Sequence, residues 1–494
     1  MSSEDTPRRL AGAPGPATVD DLAASLTGLP DREIAALLLA RPDLLAPPSP
    51  SFTALAARAA GRTSTDLALA GLDAAAIAVA EGLVSLAAEQ SAPAGSTTSA
   101  STASAASTDD TAALLADRLS LPIETVADRL SQLSSLALTI SGRPSPGLAE
   151  ALAPDAAAWP PPAEALTGPS PDSLTTIAPA TIAAESAQHA EEAVRLVTAL
   201  AREWLREPGP LLRTGGVGVR PLARTAEALG LAPAQAATII EIAAGLLGLD
   251  DDGAAWLPAA PALAWLSHDD APPLPERWAA LATAWASSAR TPWLVGSRTE
   301  DGALRAVLGD AAEAPWARSL RRRLLALLAS LPDGASVTPG FARATLIAAR
   351  PRRAIPDGAI TAILSEAELL GITGGGALSR AGRALAEHAL GAPDGAEADP
   401  ASLAALEDAL AADLPEPVAM LLVQSDLTAI VPGRPVAPLA ALLERSAVVE
   451  SRGGALTLRF TPDSVRGALD AGLGAEEILD ALGAYSPTPL PGAL

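Results

Sequence analysis

Apolar residues recur at helical spacing through most of the chain, with strand-like alternation at only a few places. Leu26, Leu29, Ile34, Leu37, Leu38 and Leu44 recur at helical spacing over residues 19–45. They predict an amphipathic helical pair whose second member begins after Pro30, with Asp31 as its cap. The Ala-rich run from Leu67 to Ala88 carries Asp73 and Glu81. It reads as a buried helix pair, and no stretch of the chain reads as a membrane span.

One grammar repeats. In TAALLADRLSLPIETVADRLSQLSSLALTI (111–140) a helix ends near Ser120 and a tight turn holds Leu121-Pro122. A second helix starts at Glu124, and a β-prone run follows from Leu136 to Ile140. The same order appears at 219–258 and more loosely at 320–385. There Asp250-Asp251-Asp252-Gly253 and Gly374-Gly375-Gly376 each separate two short strands. Helix, turn, helix and a glycine-bearing hairpin form a winged-helix-like layout. Three rough copies carry more weight than one.

The C-terminal block differs. Val418–Val431 predicts a strand run that stops at Pro432-Gly433, and Leu439–Arg445 predicts a helix. Val448–Phe460 predicts a hairpin turning at Arg452-Gly453-Gly454, with Leu456, Leu458 and Phe460 on one face. Thr461 caps a helix with Pro462 at its first position and Asp463 in its first turn. That helix ends at Gly472 or Gly474, and Ala475–Ala484 makes the last one.

The expected organisation follows from these patterns. A disordered terminus (1–18) leads into a helical region (19–90) and a low-complexity Ser/Thr/Ala linker (91–108). The first winged-helix-like unit (109–141) precedes a Pro-rich connector (142–185). A Trp-bearing helical region with the second unit spans 186–316, and the Arg-rich third unit spans 317–390. A connector and helix (391–415) lead to a module at 416–494. The fold class is mainly α with small β hairpins: tandem winged-helix-like units followed by a small α+β C-terminal module.

Composition sharpens this picture. The 494 residues have room for three or four domains. The hydrophobic share is 49%, but much of it is Ala and only 2% is aromatic, so the cores are expected to be thin. Seven of the eight Trp lie between Trp204 and Trp316, where they supply core bulk or, if exposed, stack on bases; core is the preferred reading. Cys is absent, which removes disulfides and thiolate chemistry. The first residues lack an apolar signal-peptide region, so a cytoplasmic location is expected.

Net charge is -23, which opposes nucleic-acid binding by the surface as a whole. A local exception lies at Arg318–Arg383, where ten Arg stand against four acids, an excess of +6. Arg318, Arg321, Arg322, Arg323, Arg350, Arg352 and Arg353 are the candidate phosphate contacts, because guanidinium groups bind phosphate in bidentate geometry. The competing reading makes Arg321–Arg323 the solvated side of an amphipathic helix, or partners of neighbouring acids. The second helices of the first two units are poor in outward Arg, Asn or Gln, so they are weak candidates for reading bases.

Active-site patterns are missing. Every basic residue is Arg, and a Walker A loop needs Lys, so a standard P-loop ATPase is excluded and no enzyme is expected. His189, His268 and His388 are scattered without metal spacing, and His268-Asp269-Asp270 reads as a polar loop. Gly215-Gly216-Val217-Gly218 reads as a loop, and no GxSxG elbow occurs. Neither cofactor nor metal is expected.

LLVQSDLTAIVPG (421–433), VESRGGALTLRFTPDSVRGALDAG (449–472) and AEEILDALGAYSPTPLP (475–491) resemble the helicase-associated domain of high-GC bacterial proteins described as XPB-like helicase N-terminal domains. LPDREIAALLLARPDLLAPP (29–48) resembles the opening of the same family. The resemblance implies an accessory role in DNA repair or transcription without a motor of its own. Such proteins usually continue well past the SPTPLP segment, whereas this sequence ends at Leu494, which the resemblance reads as a short or truncated member. The expectation is a non-catalytic accessory protein that binds DNA weakly through its Arg-rich unit. The alternative is an acidic scaffold that docks a helicase or other nucleic-acid enzyme without touching DNA.

Overall fold

Helix ends in the computed structural model follow local capping chemistry. The first helix, Val19–Thr27, starts with a reciprocal cap: the Asp21 N–H donates to Thr18 Oγ1 at 3.2 Å and the Thr18 N–H to Asp21 Oδ2 at 2.9 Å. The next, Asp31–Ala40, has Pro30 at its cap position and no side-chain cap bond. Asp31 is therefore its first helical residue instead of its cap, where its charge still faces the helix N-terminus. The structure describes residues 17–91, 108–152, 159–250, 252–267, 271–391, 399–452, 455–470 and 472–494. Most of the expected disordered terminus and Ser/Thr/Ala linker, the 392–398 part of the third break, His268-Asp269-Asp270 and the Gly453-Gly454 turn lie outside the described residues.

The chain divides into two units, Met1–Ser173 with Thr338–Ile360, and Leu174–Val337 with Thr361–Leu494. Both are mainly helical, with small antiparallel sheets. The first unit holds two apolar clusters. Leu22, Leu26, Leu37, Leu44 and Leu55 form one, and Leu69, Leu72, Val79, Leu115, Val126 and Leu133 belong to the other. The Leu67–Ala88 run becomes two helices, Arg62–Leu69 and Ala74–Ser91. The first repeat follows its expected order: Thr108–Leu119, a turn with Ser120 at φ 53°, Ile123–Ser135, and a hairpin pairing Thr139–Ile140 with Arg143–Pro144.

In the second unit the repeat recurs with an added strand. Gly209–Pro210 precedes the helices Val219–Leu229 and Pro233–Ile242, and pairs with Ala255–Pro258, which also pairs with Leu247–Leu249. The same pattern links Ala335–Ser336, Ala377–Leu378 and Thr373–Gly374, with Thr175–Thr176 added at the outer edge. The hairpin turn at Gly375 and Gly376 has φ of 59° and 75°, and Glu368 accepts both of its N–H groups at 2.8 and 3.2 Å. Gly371 lies against the 28-residue helix Pro179–Arg206; a Cβ there would sit 2.1 Å from the Ser186 carbonyl oxygen.

The structure does not keep 317–390 as one unit. The helix Pro339–Ala349 packs against Ala74–Ser91 and Ala163–Thr167, all of them in the first unit. Its buried Phe341, Ala342 and Leu346 supply the apolar face for that contact.

The C-terminal module forms a four-stranded antiparallel sheet in the order Leu422–Val423, Thr428–Val431, Leu456–Arg459, Val448–Arg452. The expected continuous run Val418–Val431 is instead two strands. Leu427 takes φ 66°, and Asp426 accepts the Thr428 N–H at 3.0 Å, so the chain reverses between them. The helices Ala437–Ser446, Pro462–Asp470 and Ala475–Tyr485 cover the module, and Thr461 caps the second through the Ser464 N–H at 3.1 Å.

Four of the seven clustered Trp take the core role, and Trp256, Trp293 and Trp316 are half-buried. Trp204, Trp265, Trp278 and Trp285 are buried, and Trp204 Nε1 donates to Thr225 Oγ1 at 3.0 Å. Trp204→Ala is expected to destabilise the second unit by about 3–5 kcal/mol. Urea unfolding followed by circular dichroism checks this; a loss under about 1 kcal/mol contradicts the core role.

Candidate functional site

The seven candidate arginines are divided between the two units. Arg318, Arg321, Arg322 and Arg323 lie in the second unit, on the helix Pro315–Ser330; Arg350, Arg352 and Arg353 lie in the first. Arg318 is exposed, and its Nε donates to the Ser287 carbonyl at 2.5 Å. Arg322 and Arg323 are half-buried and each is engaged by a neighbour. Arg352 pairs with Asp66 at 3.1 Å and donates to the Ala151 carbonyl at 2.7 Å. Arg350 is half-buried and Arg353 exposed, and neither forms an ion pair among the described residues.

Arg321 is the clearest departure from expectation. Only 1% of its side chain is exposed, so it has no access to a phosphate. It donates to Glu366 Oε2 at 2.8 Å and to the Ser288 and Arg290 carbonyls at 2.8 and 2.9 Å. Its guanidinium carbon lies 5.5 Å from the Trp285 ring centroid and 5.8 Å from that of Trp293. Trp285 Nε1 also donates to Glu366 Oε2, at 2.7 Å. Burial pushes the Glu366 carboxyl above the usual carboxylate range, against the pull of Arg321.

A second buried acid, Glu241, lies near this cluster. It ends the apolar stretch PAQAATIIE, and its Oε1 accepts the Leu308 N–H at 2.7 Å. Leu308 is in the left-handed region, φ 58°, so the bond holds a strained turn. Arg290 Nε is 3.6 Å from Glu241 Oε2, which has no hydrogen-bond partner. Burial raises the Glu241 pKa to about 7; Arg290 and the Leu308 N–H oppose the rise, and Glu313 and Glu366 add to it. The sequence signal for this site was a lone acid inside an apolar helix, and the charge count passed over it.

The helices in the recognition position carry little to read bases. Ile123–Ser135 exposes Glu124 and Asp128, and its Arg129 pairs with Asp73 at 2.8 Å. Pro233–Ile242 exposes Ala234 and Gln235, and Ala359–Leu369 exposes Thr361 and Ser365.

The C-terminal module carries a cavity of about 180 Å³. The helix Ala437–Ser446 contributes Pro438, Leu442 and Arg445 to it. Leu473, Glu477, Ala481 and Tyr485 form the opposing wall at a spacing of four residues. That spacing is visible in the sequence but reads there as ordinary core packing.

Two outcomes follow for the buried acids. Arg321→Met strands Glu366 in an apolar site and is expected to destabilise the protein by about 3–5 kcal/mol. Adding Glu366→Leu should recover most of the loss, measured as a double-mutant cycle in urea. Glu241 holds its proton more tightly folded than unfolded, so its stabilising contribution is full below the unfolded pKa near 4.5 and is lost as pH rises through about 7. The stability of wild type relative to Glu241→Gln should fall by about 2–3 kcal/mol from pH 5 to 8; a flat difference contradicts the burial account.

No curated protein matches the chain. Residues 421–494 match the family described as the helicase conserved C-terminal domain, so the C-terminal module is similar to a helicase-associated domain.

Proposed function

We propose that this protein is a non-catalytic adaptor in DNA repair or transcription, of XPB-like type and cytoplasmic, that docks a helicase-type enzyme through protein contacts. The match at 421–494 supports the helicase association. The observation that carries protein docking over DNA binding is the burial of Arg321 beneath Trp285 and Trp293. Arg318, Arg322, Arg323 and Arg352 are each engaged by a neighbour as well, although Arg321 alone of the seven is buried. The recognition-position helices expose acids and small side chains, and the net charge of -23 repels phosphate while attracting basic protein surfaces. The absence of Lys supports the lack of a P-loop motor.

Exposed Arg318 and, in the other unit, exposed Arg353 with Arg350 near it in sequence favour a second reading: weak, sequence-independent DNA binding. One experiment separates the two. Cross-linking capture from the native cell, repeated after nuclease treatment, should enrich a helicase-type enzyme equally in both arms. Anisotropy with single-stranded, duplex and forked DNA should give a Kd weaker than about 100 µM at physiological salt. Capture that vanishes with nuclease, or tight DNA binding abolished by Arg318→Ala/Arg350→Ala/Arg353→Ala, would overturn docking in favour of DNA.

A further inference from the structure

We infer that the groove between the helices Ala437–Ser446 and Ala475–Tyr485 receives a basic amphipathic helix of the partner. The inference rests on the docking reading and names its surface. Leu473, Glu477, Ala481 and Tyr485 succeed one another every four residues, so they form one stripe along the last helix and the turn before it. Pro438, Leu442 and Arg445 form the facing stripe at intervals of four and three. Ile478, which is buried, lines the cavity between them and belongs to the same apolar core as Leu439, Leu443 and Leu482. Two facing stripes with an apolar residue between them suit a third helix that inserts side chains at i, i+4 and i+7.

Size narrows the occupant. At about 180 Å³ the cavity is smaller than the roughly 300–1,000 Å³ of small-molecule and cofactor sites. It suits an apolar anchor side chain from a peptide. The Tyr485 hydroxyl makes no hydrogen bond to another described residue, which leaves a polar group at the groove wall to orient a ligand.

Charge selects the partner. The last helix carries Glu476, Glu477 and Asp480 and no Arg, and all three acids are exposed. Glu477 Oε2 accepts the Gly474 N–H at 3.3 Å, while Glu476 and Asp480 stand beside the groove without an ion pair among the described residues. This rim repels nucleic acid and also a second copy of a chain of charge -23. On the facing stripe Arg445 is engaged by a neighbour, so a helix with an apolar stripe and Arg or Lys on the side of the last helix satisfies floor and rim together.

Tyr485 is the chain's single tyrosine. Incorporating 3-fluorotyrosine therefore places one ¹⁹F reporter in the groove of the full-length protein. The probe is a synthetic helix with Leu at i, i+4, i+7 and i+11 and Arg at its flanks. Saturable displacement of the ¹⁹F resonance is expected, with no displacement by a scrambled peptide of the same composition or by an acidic counterpart. Glu476→Lys/Asp480→Lys should weaken binding by about tenfold or more, and Ala481→Arg should abolish it. The first variant alters only exposed side chains, so it keeps the test valid if the second disturbs folding. An unmoved resonance overturns the inference, as does equal displacement by the scrambled peptide. Displacement by duplex DNA, or by protein concentration alone, overturns it in favour of nucleic acid or self-association. Helicase capture that persists undiminished in both variants sinks the groove while docking stands. Peptide binding without any helicase capture leaves the groove standing and sinks the helicase reading.

Discussion

The Arg321–Glu366 ion pair is the constraint around which the second unit is organised. Burying two charges is costly unless every lone pair and proton finds a partner. Here that requirement recruits Trp285 from one helix, the Ser288 and Arg290 carbonyls from the following loop, and Glu366, 45 positions along the chain, and leaves Arg321 Nε as the guanidinium nitrogen without a hydrogen-bond partner. The segments cannot separate without stranding a charge. In a chain rich in Ala, whose side chain buries little apolar area, such a cluster specifies an arrangement that apolar packing alone would define loosely.

The same cluster changes what the arginines mean. A local excess of positive charge reads as a phosphate face only if its side chains reach solvent. Arg321 faces tryptophan rings and a carboxylate, Arg352 is held by Asp66 and a backbone carbonyl, and the segment Thr338–Ile360 folds with the first unit. The chain as a whole is acidic, with a net charge of -23, and its electrostatic complement is a basic surface.

Glu241 extends the constraint to a second loop. Its carboxylate holds the Leu308 N–H in a left-handed turn and leaves one oxygen without a hydrogen bond. A buried acid with a pKa near 7 couples the stability of that turn to protonation in the neutral range.

Much of the fold is legible in residue order because its signals act within a few positions. Pro462 after Thr461 starts a helix, Gly375-Gly376 turns a hairpin, and Leu456, Leu458 and Phe460 alternate along a strand beside a helical cover. The mainly helical class with small hairpins follows from such signals, and the Trp-rich stretch reads as core from size and apolarity. Other features depend on partners distant in sequence. Pro339–Ala349 looks like part of an Arg-rich unit until Phe341 and Leu346 find their apolar surface on helices more than a hundred residues earlier. Val418–Val431 looks like one strand until Leu427 turns back so that Thr428–Val431 can pair with Leu456–Arg459. Sequence determined where helices and turns begin, because capping and periodicity are local. Tertiary structure alone decided which charges were buried, because a charge is tolerated inside only where distant residues converge to satisfy it.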